Sequence, residues 1–259
     1  MKDYYNLIPD KTRLLTRHFT KGRGGTKPNL IVRHHFAGIG DTDWLWRVWQ
    51  DRAASAHYGI ESGTAIVGQL VYDDNTAWHA ANALINRRSY GLEHGNITGR
   101  VGGRDDHPDS WKIHDDTIKA GARLAAALCL KDGMGKPEWG KNVTDHKVHY
   151  GTSCPLKLAR GGIYDQPWFD EATWFYDQLD KKLVHPDGTP IKMNFAPPEK
   201  GTMMADFDTR TNAADGTEHT YGELLRYTDG RVFDMESKTL PRMEQKLDAI
   251  LEKLEDKDA

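Results

Sequence analysis

The sequence predicts an α/β fold: a central mixed β-sheet flanked by helices, with an irregular C-terminal extension that ends in a helix. Three observations carry this. Strand-like and helical runs mix through residues 29–183. Some of the strand-like runs follow one another too closely for helical crossovers, so part of the sheet must be antiparallel. After Leu183 the texture changes to Pro, Gly, Asp and Thr before a last apolar-periodic stretch.

In chain order, NLIVRHHFAG (29–38) reads as a strand from Leu30 to about His35, apolar and branched before it turns polar. DTDWLWRVWQDRAASA (41–56) reads as a helix with Asp41 or Thr42 as N-cap. HYGIES, AIVGQLVYDD and SYGLEHGN are short strand-like runs separated by Gly, Asp and Asn turns. DSWKIHDDTIKAGARLAAALCLKDG (109–133) carries the strongest helical pattern, with Ile113, Ile118, Ala122, Ala125 and Cys129 near one face and Gly133 suited to a C-cap. VTDHKV (143–148) is loop or short strand, and DQPWFDEATWFYDQLDKKL (165–183) places Trp168, Ala172, Phe175 and Leu179 at helical spacing. These elements make residues 1–184 one domain, 185–220 a linker or irregular region, and 221–259 a C-terminal helical segment. In that segment Leu240, Met243, Leu247, Ile250 and Leu254 are spaced 3, 4, 3, 4, an a/d seam. It is shorter than the three to four heptads of a firm coiled coil. The seam suits packing on its own domain or self-association into a homo-oligomer.

Composition excludes several function classes. With 38% apolar and 28% charged residues the chain has a soluble globular balance, and no apolar run approaches the roughly 20 residues of a membrane span. The start, MKDYYNLIPDK, lacks the basic and apolar segments of a secretory signal, which predicts synthesis in a cytoplasm. A net charge of -3 gives no electrostatic reason to expect nucleic-acid binding. Two cysteines cannot make a disulfide framework. Cys129, in an apolar helical run, reads as a buried small hydrophobe; Cys154 follows a polar loop and calls for another explanation.

That loop, TDHKVHYGTSCP (144–155), holds His146, His149, Thr152 and Cys154. His34 and His35 end a core strand, where the backbone is rigid enough to hold a ligand. One imidazole from the strand, another from the loop and the Cys154 thiolate make the three-ligand set of a catalytic zinc whose fourth position is left to water. The competing reading is a nucleophilic pair of Cys154 with His146 or His149. Against it, Cys154 precedes a proline in a loop, whereas low-pKa thiols favour helix N-termini.

Four motifs in order resemble the zinc-dependent N-acetylmuramoyl-L-alanine amidases of the type-2 amidase and peptidoglycan-recognition-protein superfamily, phage endolysins above all. They are IVRHHFAG, SAHYGIESGTAIVGQLVYDDNTAWHAA, SYGLEHGN and TDHKVHYGTSCP, spanning about residues 29–183. The resemblance implies His34, His146 and Cys154 as zinc ligands. His34 is preferred to His35 because neighbours on a strand face opposite ways and the first histidine of the pair matches the family's ligand. It implies Glu93 as catalytic base, since the position where other branches carry a tyrosine is Ala56 here. Thr152 stands where the family has an oxyanion-stabilising lysine or threonine. Trp78 and His79, in the A-W-H-A match, are expected to shape the substrate cleft. Asp145 departs from the usual glycine before the loop histidine.

The implied substrate is bacterial peptidoglycan, and the implied reaction is hydrolysis of the amide between N-acetylmuramic acid and L-alanine of the stem peptide. A non-catalytic recognition module of the same superfamily and a cysteine peptidase are the alternatives. As an endolysin the chain would act on the cell wall after release from the cytoplasm, and its C-terminal segment would serve wall binding or oligomerisation.

Overall fold

The computed structural model describes residues 1–191 and, beyond them, the two strands Arg210–Asn212 and Glu218–Thr220. In order, the first unit comprises β1 (Lys11–Thr12), β2 (Phe19–Thr20), β3 (Leu30–His35), α1 (Thr42–Asp51), β4 (Tyr58–Ile60), β5 (Val67–Gln69), β6 (Thr76–Ala77), α2 (Ala83–Arg88), β7 (Ser89–His94), α3 (Asp115–Lys131), β8 (Val143–Asp145) and α4 (Asp165–Asp180). Six strands form the main sheet in the order β1-β5-β4-β7-β3-β8. The pairs β3–β7, β3–β8, β4–β7 and β1–β5 are parallel, and β4–β5 is antiparallel, so the sheet is mixed as predicted. β2 and β6 form a separate antiparallel pair.

Three helices differ from their predicted bounds: α4 ends at Asp180, short of Leu183, and in α1 and α3 tertiary contacts claim the ends. Asp41 caps α1, its carboxylate accepting from the Trp44 amide at 2.7 Å. The helix stops at Asp51 because the following AASA is drawn toward the sheet, where the Ser55 amide donates to Trp78 O at 3.1 Å. α3 starts at Asp115, capped by His114 Nδ1, which accepts from the Asp116 amide. Residues 109–112 instead close back on the preceding loop: the Thr98 hydroxyl donates to Asp109 O at 2.6 Å and accepts from the Lys112 amide at 2.8 Å.

Period-two alternation divides the sheet's two faces. Ile31, Tyr90, Leu92 and Val143 pack with Ile118, Leu124 and Leu128 of α3 and Trp168 and Phe175 of α4. On the other side Leu45 and Trp49 of α1 pack with Phe36, Leu70 and Ala77. At Gly121, α3 lies so close to the sheet that an added Cβ would come within 2.1 Å of His94 Nε2. That imidazole is fully engaged: Nδ1 donates to His34 O at 2.9 Å and Nε2 accepts from the Trp168 indole at 3.1 Å.

Asp145, the departure from the family pattern, has a structural partner. Its Oδ1 accepts from Arg33 Nε at 2.8 Å, and neither side chain has any exposure. Arg33 also reaches Asp165 at 2.9 Å, and Asp145 Oδ2 accepts the Arg160 amide at 2.6 Å. Trp168 and Phe169 lie 5.0 and 4.9 Å from the guanidinium, within cation–π range. Arg33 and Asp145 are Cα partners across β3 and β8, so the pair sets the register of those two strands.

The chain divides into units at Met1–Ile191 and Lys192–Ala259. In the second, Arg210–Asn212 and Glu218–Thr220 pair antiparallel, where Pro, Gly and Asp content predicts irregular structure. The predicted C-terminal helix and its Leu240–Leu254 seam lie outside the described residues. Among the described residues no helix is long and apolar enough to cross a membrane.

Two substitutions test this packing. Gly121→Ala should lower the unfolding midpoint: the helix-propensity gain is about 1 kcal/mol, whereas forcing a methyl into a filled core costs about 1–3 kcal/mol. A raised midpoint would show that the close approach is not required. Asp145→Ala should cost about 1.5–3 kcal/mol in denaturant unfolding, because Arg33 loses one of its two buried carboxylate partners and keeps Asp165. Asp106→Ala, which breaks only the exposed pair with Arg104, should change nothing measurable.

Candidate metal centre

His34 and Glu93 are Cα partners on parallel β3 and β7 and share the face away from α3 and α4. β8 runs out at Asp145, and the chain turns into a short 3₁₀ segment at His146–Val148. The loop then folds back on itself. Lys147 N–H donates to Cys154 O at 2.9 Å, Thr152 N–H to Tyr150 O at 2.8 Å, and Cys154 N–H to Thr152 Oγ1 at 3.2 Å. This returns Cys154 to His146 despite their separation in sequence. One ligand atom from each of His34, His146 and Cys154 then lies within 4.8 Å of the others.

The donors fit zinc. Bonds of about 2.0–2.1 Å to imidazole and about 2.3 Å to thiolate in a tetrahedron separate N from S by about 3.6 Å. Cys154 Sγ and His34 Nδ1 are 3.9 Å apart. His146 Nε2 is buried with no hydrogen-bond partner, an unmet lone pair or proton that a metal would satisfy. Burial holds His34 well below the ordinary imidazole range and brings His146 down to about 4, with the charges of His149 and Arg52 adding to the effect. Both imidazoles are therefore neutral and able to donate lone pairs. Burial, and then the Glu93 charge, pushes the Cys154 thiol well above its usual range, although the His35 amide donates to the sulfur. A cation in the site would reverse that, since coordination deprotonates a thiol.

Glu93 Oε2 is buried without a partner, and burial pushes the carboxyl up to about 8 against the opposing charge of Arg52. Such a group holds or releases a proton near neutrality, as a general base and acid must. The tyrosine alternative has no basis in the geometry: Ala56 is buried, and the Tyr58 hydroxyl is bonded to Asp73 at 2.7 Å.

The remaining predicted residues separate. The Thr152 hydroxyl accepts from the Cys154 amide, and among the described residues it donates to no protein acceptor. Trp78 is 38% exposed on the cleft with its indole N–H on Thr20 Oγ1. His79, expected to shape the cleft, is among the residues that line it and is largely buried behind His34, with both ring nitrogens engaged, by His34 Nε2 at 3.1 Å and Ser89 Oγ at 3.0 Å. His35 turns to Asn96 Oδ1 at 2.9 Å and against Trp111, and His149 bonds Thr144 Oγ1 at 2.8 Å. The cleft encloses about 480 Å³, and Trp44, Trp49, Trp111 and Arg52 contribute to its walls. Arg52 forms no ion pair among the described residues; sequence reading missed it because a cation just past a helix end looks like an ordinary solvated residue.

Among solved structures, PlyL matches at 15% identity and a TM-score of 0.48, covering 64% of this chain and 98% of that one. N-acetylmuramoyl-L-alanine amidase LysC from Clostridium intestinale URNW matches at 16% and 0.43, covering 66% and 97%. A selenomethionine derivative of AmpD matches at 18% and 0.46, covering 64% and 96%. No curated protein matches the chain. The family model described as N-acetylmuramoyl-L-alanine amidase matches residues 24–157, just over half of the chain, and takes in every ligand candidate, Glu93 and Thr152. The chain belongs to the N-acetylmuramoyl-L-alanine amidase family of peptidoglycan hydrolases.

Proposed function

We propose that this chain is a zinc-dependent amidase that cleaves the bond between the lactyl group of N-acetylmuramic acid and L-alanine of the stem peptide, and that it serves as a phage endolysin. The observation that carries the zinc reading is the convergence of His34, His146 and Cys154, with Glu93 in register beside His34. His34, His146 and Cys154 would hold the ion, which when bound polarises the scissile carbonyl and acidifies a water.

The chain's own groups supply the rest. The Glu93 carboxylate takes one proton from the attacking water as its oxygen bonds the carbonyl carbon. The same carboxyl then delivers that proton to the alanine nitrogen as the C–N bond breaks. Thr152 turns its free O–H toward the developing oxyanion. The exposed face of Trp78 packs against the glycan–peptide junction, and Arg52 offers charge to an acidic stem. As an endolysin, the enzyme would be made in a host cytoplasm and reach the wall after release. Self-association through the C-terminal seam would raise avidity for a repetitive polymer.

Treatment with a strong chelator should abolish release of stem peptides from purified peptidoglycan, and added zinc should restore it. Release that survives chelation would overturn the zinc reading. Glu93→Gln should leave zinc near one per chain while lowering turnover by about 100-fold or more, the usual scale of a general base. Wild-type turnover in that variant would remove Glu93 from the chemistry.

A further inference from the structure

His79 is the residue that the reaction does not use, yet its placement is tightly specified. Its backbone is held by Asn86, whose Oδ1 accepts the His79 and Ala80 amides at 3.2 and 2.8 Å. Its ring lies over Gly91, where an added Cβ would come within 2.6 Å of His79 Cγ. Thus Ser89, Gly91 and Glu93, the alternate residues of β7 on the cleft face, each serve this region: a hydrogen-bond partner, room for a ring, and a carboxylate.

The hydrogen bonds through this ring admit one direction. Ser89 Oγ donates to Ile85 O at 2.6 Å, and a carbonyl cannot donate in return. Having given its only hydrogen to Ile85, Ser89 Oγ must accept from His79 Nε2, 3.0 Å away. A neutral His79 with hydrogen on Nε2 has a bare Nδ1, which accepts from His34 Nε2 at 3.1 Å. A neutral His34 with hydrogen on Nε2 has its lone pair on Nδ1, the atom that faces Cys154 Sγ at 3.9 Å.

We propose that Ile85 O, Ser89 and His79 form a relay that fixes the tautomer and ring orientation of His34, so that Nδ1 is presented to the metal. His79 and Ser89 are positioning residues: they touch neither the ion nor the substrate. The relay rests on the zinc reading above, and it goes beyond that reading by assigning the ligating nitrogen and the groups that select it.

The test uses the full chain and zinc alone, with affinity measured by competition against a chromophoric chelator. His79→Leu removes the acceptor at similar volume and should weaken zinc binding by about 10- to 100-fold, the scale of losing an outer-shell partner. His79→Asn keeps an oxygen acceptor near the Nδ1 position and should stay within about threefold of wild type. Equal affinity in His79→Leu and wild type, or equal losses in both variants, would overturn the relay. Where His79→Leu does not fold, nitrogen NMR of the zinc-loaded wild type decides. The relay requires the proton of His34 on Nε2, with a coupling across the hydrogen bond to His79 Nδ1; a proton on His34 Nδ1 would overturn it. A wild-type chain that binds no zinc would overturn the metal site itself, and the relay with it, whereas binding by wild type with any of the preceding failures overturns the relay alone.

Discussion

Arg33 and Asp145 face one another on β3 and β8 with no exposed surface, and each immediately precedes a histidine of the candidate metal centre. Because neighbours on a strand point to opposite faces, burying the ion pair against α4 commits His34 to the cleft, and His146 follows from the end of β8. A one-residue slip of β8 would carry Asp145 to the wrong face and leave Arg33 with Asp165 alone. Such a pair adds little net stability over an apolar one, but it penalises every alternative register heavily. The distance between His34 and His146 is thereby set on the far side of the sheet from the candidate metal centre.

The same burial that makes the ion pair specific also tunes the site. His34 and His146 are kept neutral, while Cys154 and Glu93 are pushed toward their protonated forms. All four shifts run against charge; a cation held by His34, His146 and Cys154 would convert the thiol to thiolate and draw Glu93 back toward carboxylate. Around this core, His94 bonds the His34 carbonyl, the His35 amide reaches the Cys154 sulfur, and the loop from His146 to Cys154 is closed by its own backbone bonds. Rigidity of this kind suits a ligand set that must keep one position open.

Much of this was legible in the sequence, for identifiable reasons. β3 and β7 carry apolar or motif-bearing runs that read as strands without tertiary knowledge; alternation lets only one of His34 and His35 face the site, and the family resemblance selects His34. The α3 start was not legible, because Thr98, more than ten residues away, holds Asp109 and Lys112 in the preceding loop. Asp145 looked like a defect in the loop, since the partner that explains it lies 112 residues away. The bonds of His79 to His34 and Ser89 were not legible, because a motif gives a residue's neighbourhood and not its partners. The two-residue strands β1, β2 and β6 are too short for any periodicity to register.

X-ray absorption at the zinc edge of the purified full-length chain bears most directly on the central claim. A ligand set of His34, His146 and Cys154 predicts a first shell with nitrogen or oxygen at about 2.0–2.1 Å and one sulfur at about 2.3 Å. A shell with no sulfur, or a protein that retains no zinc, would contradict it.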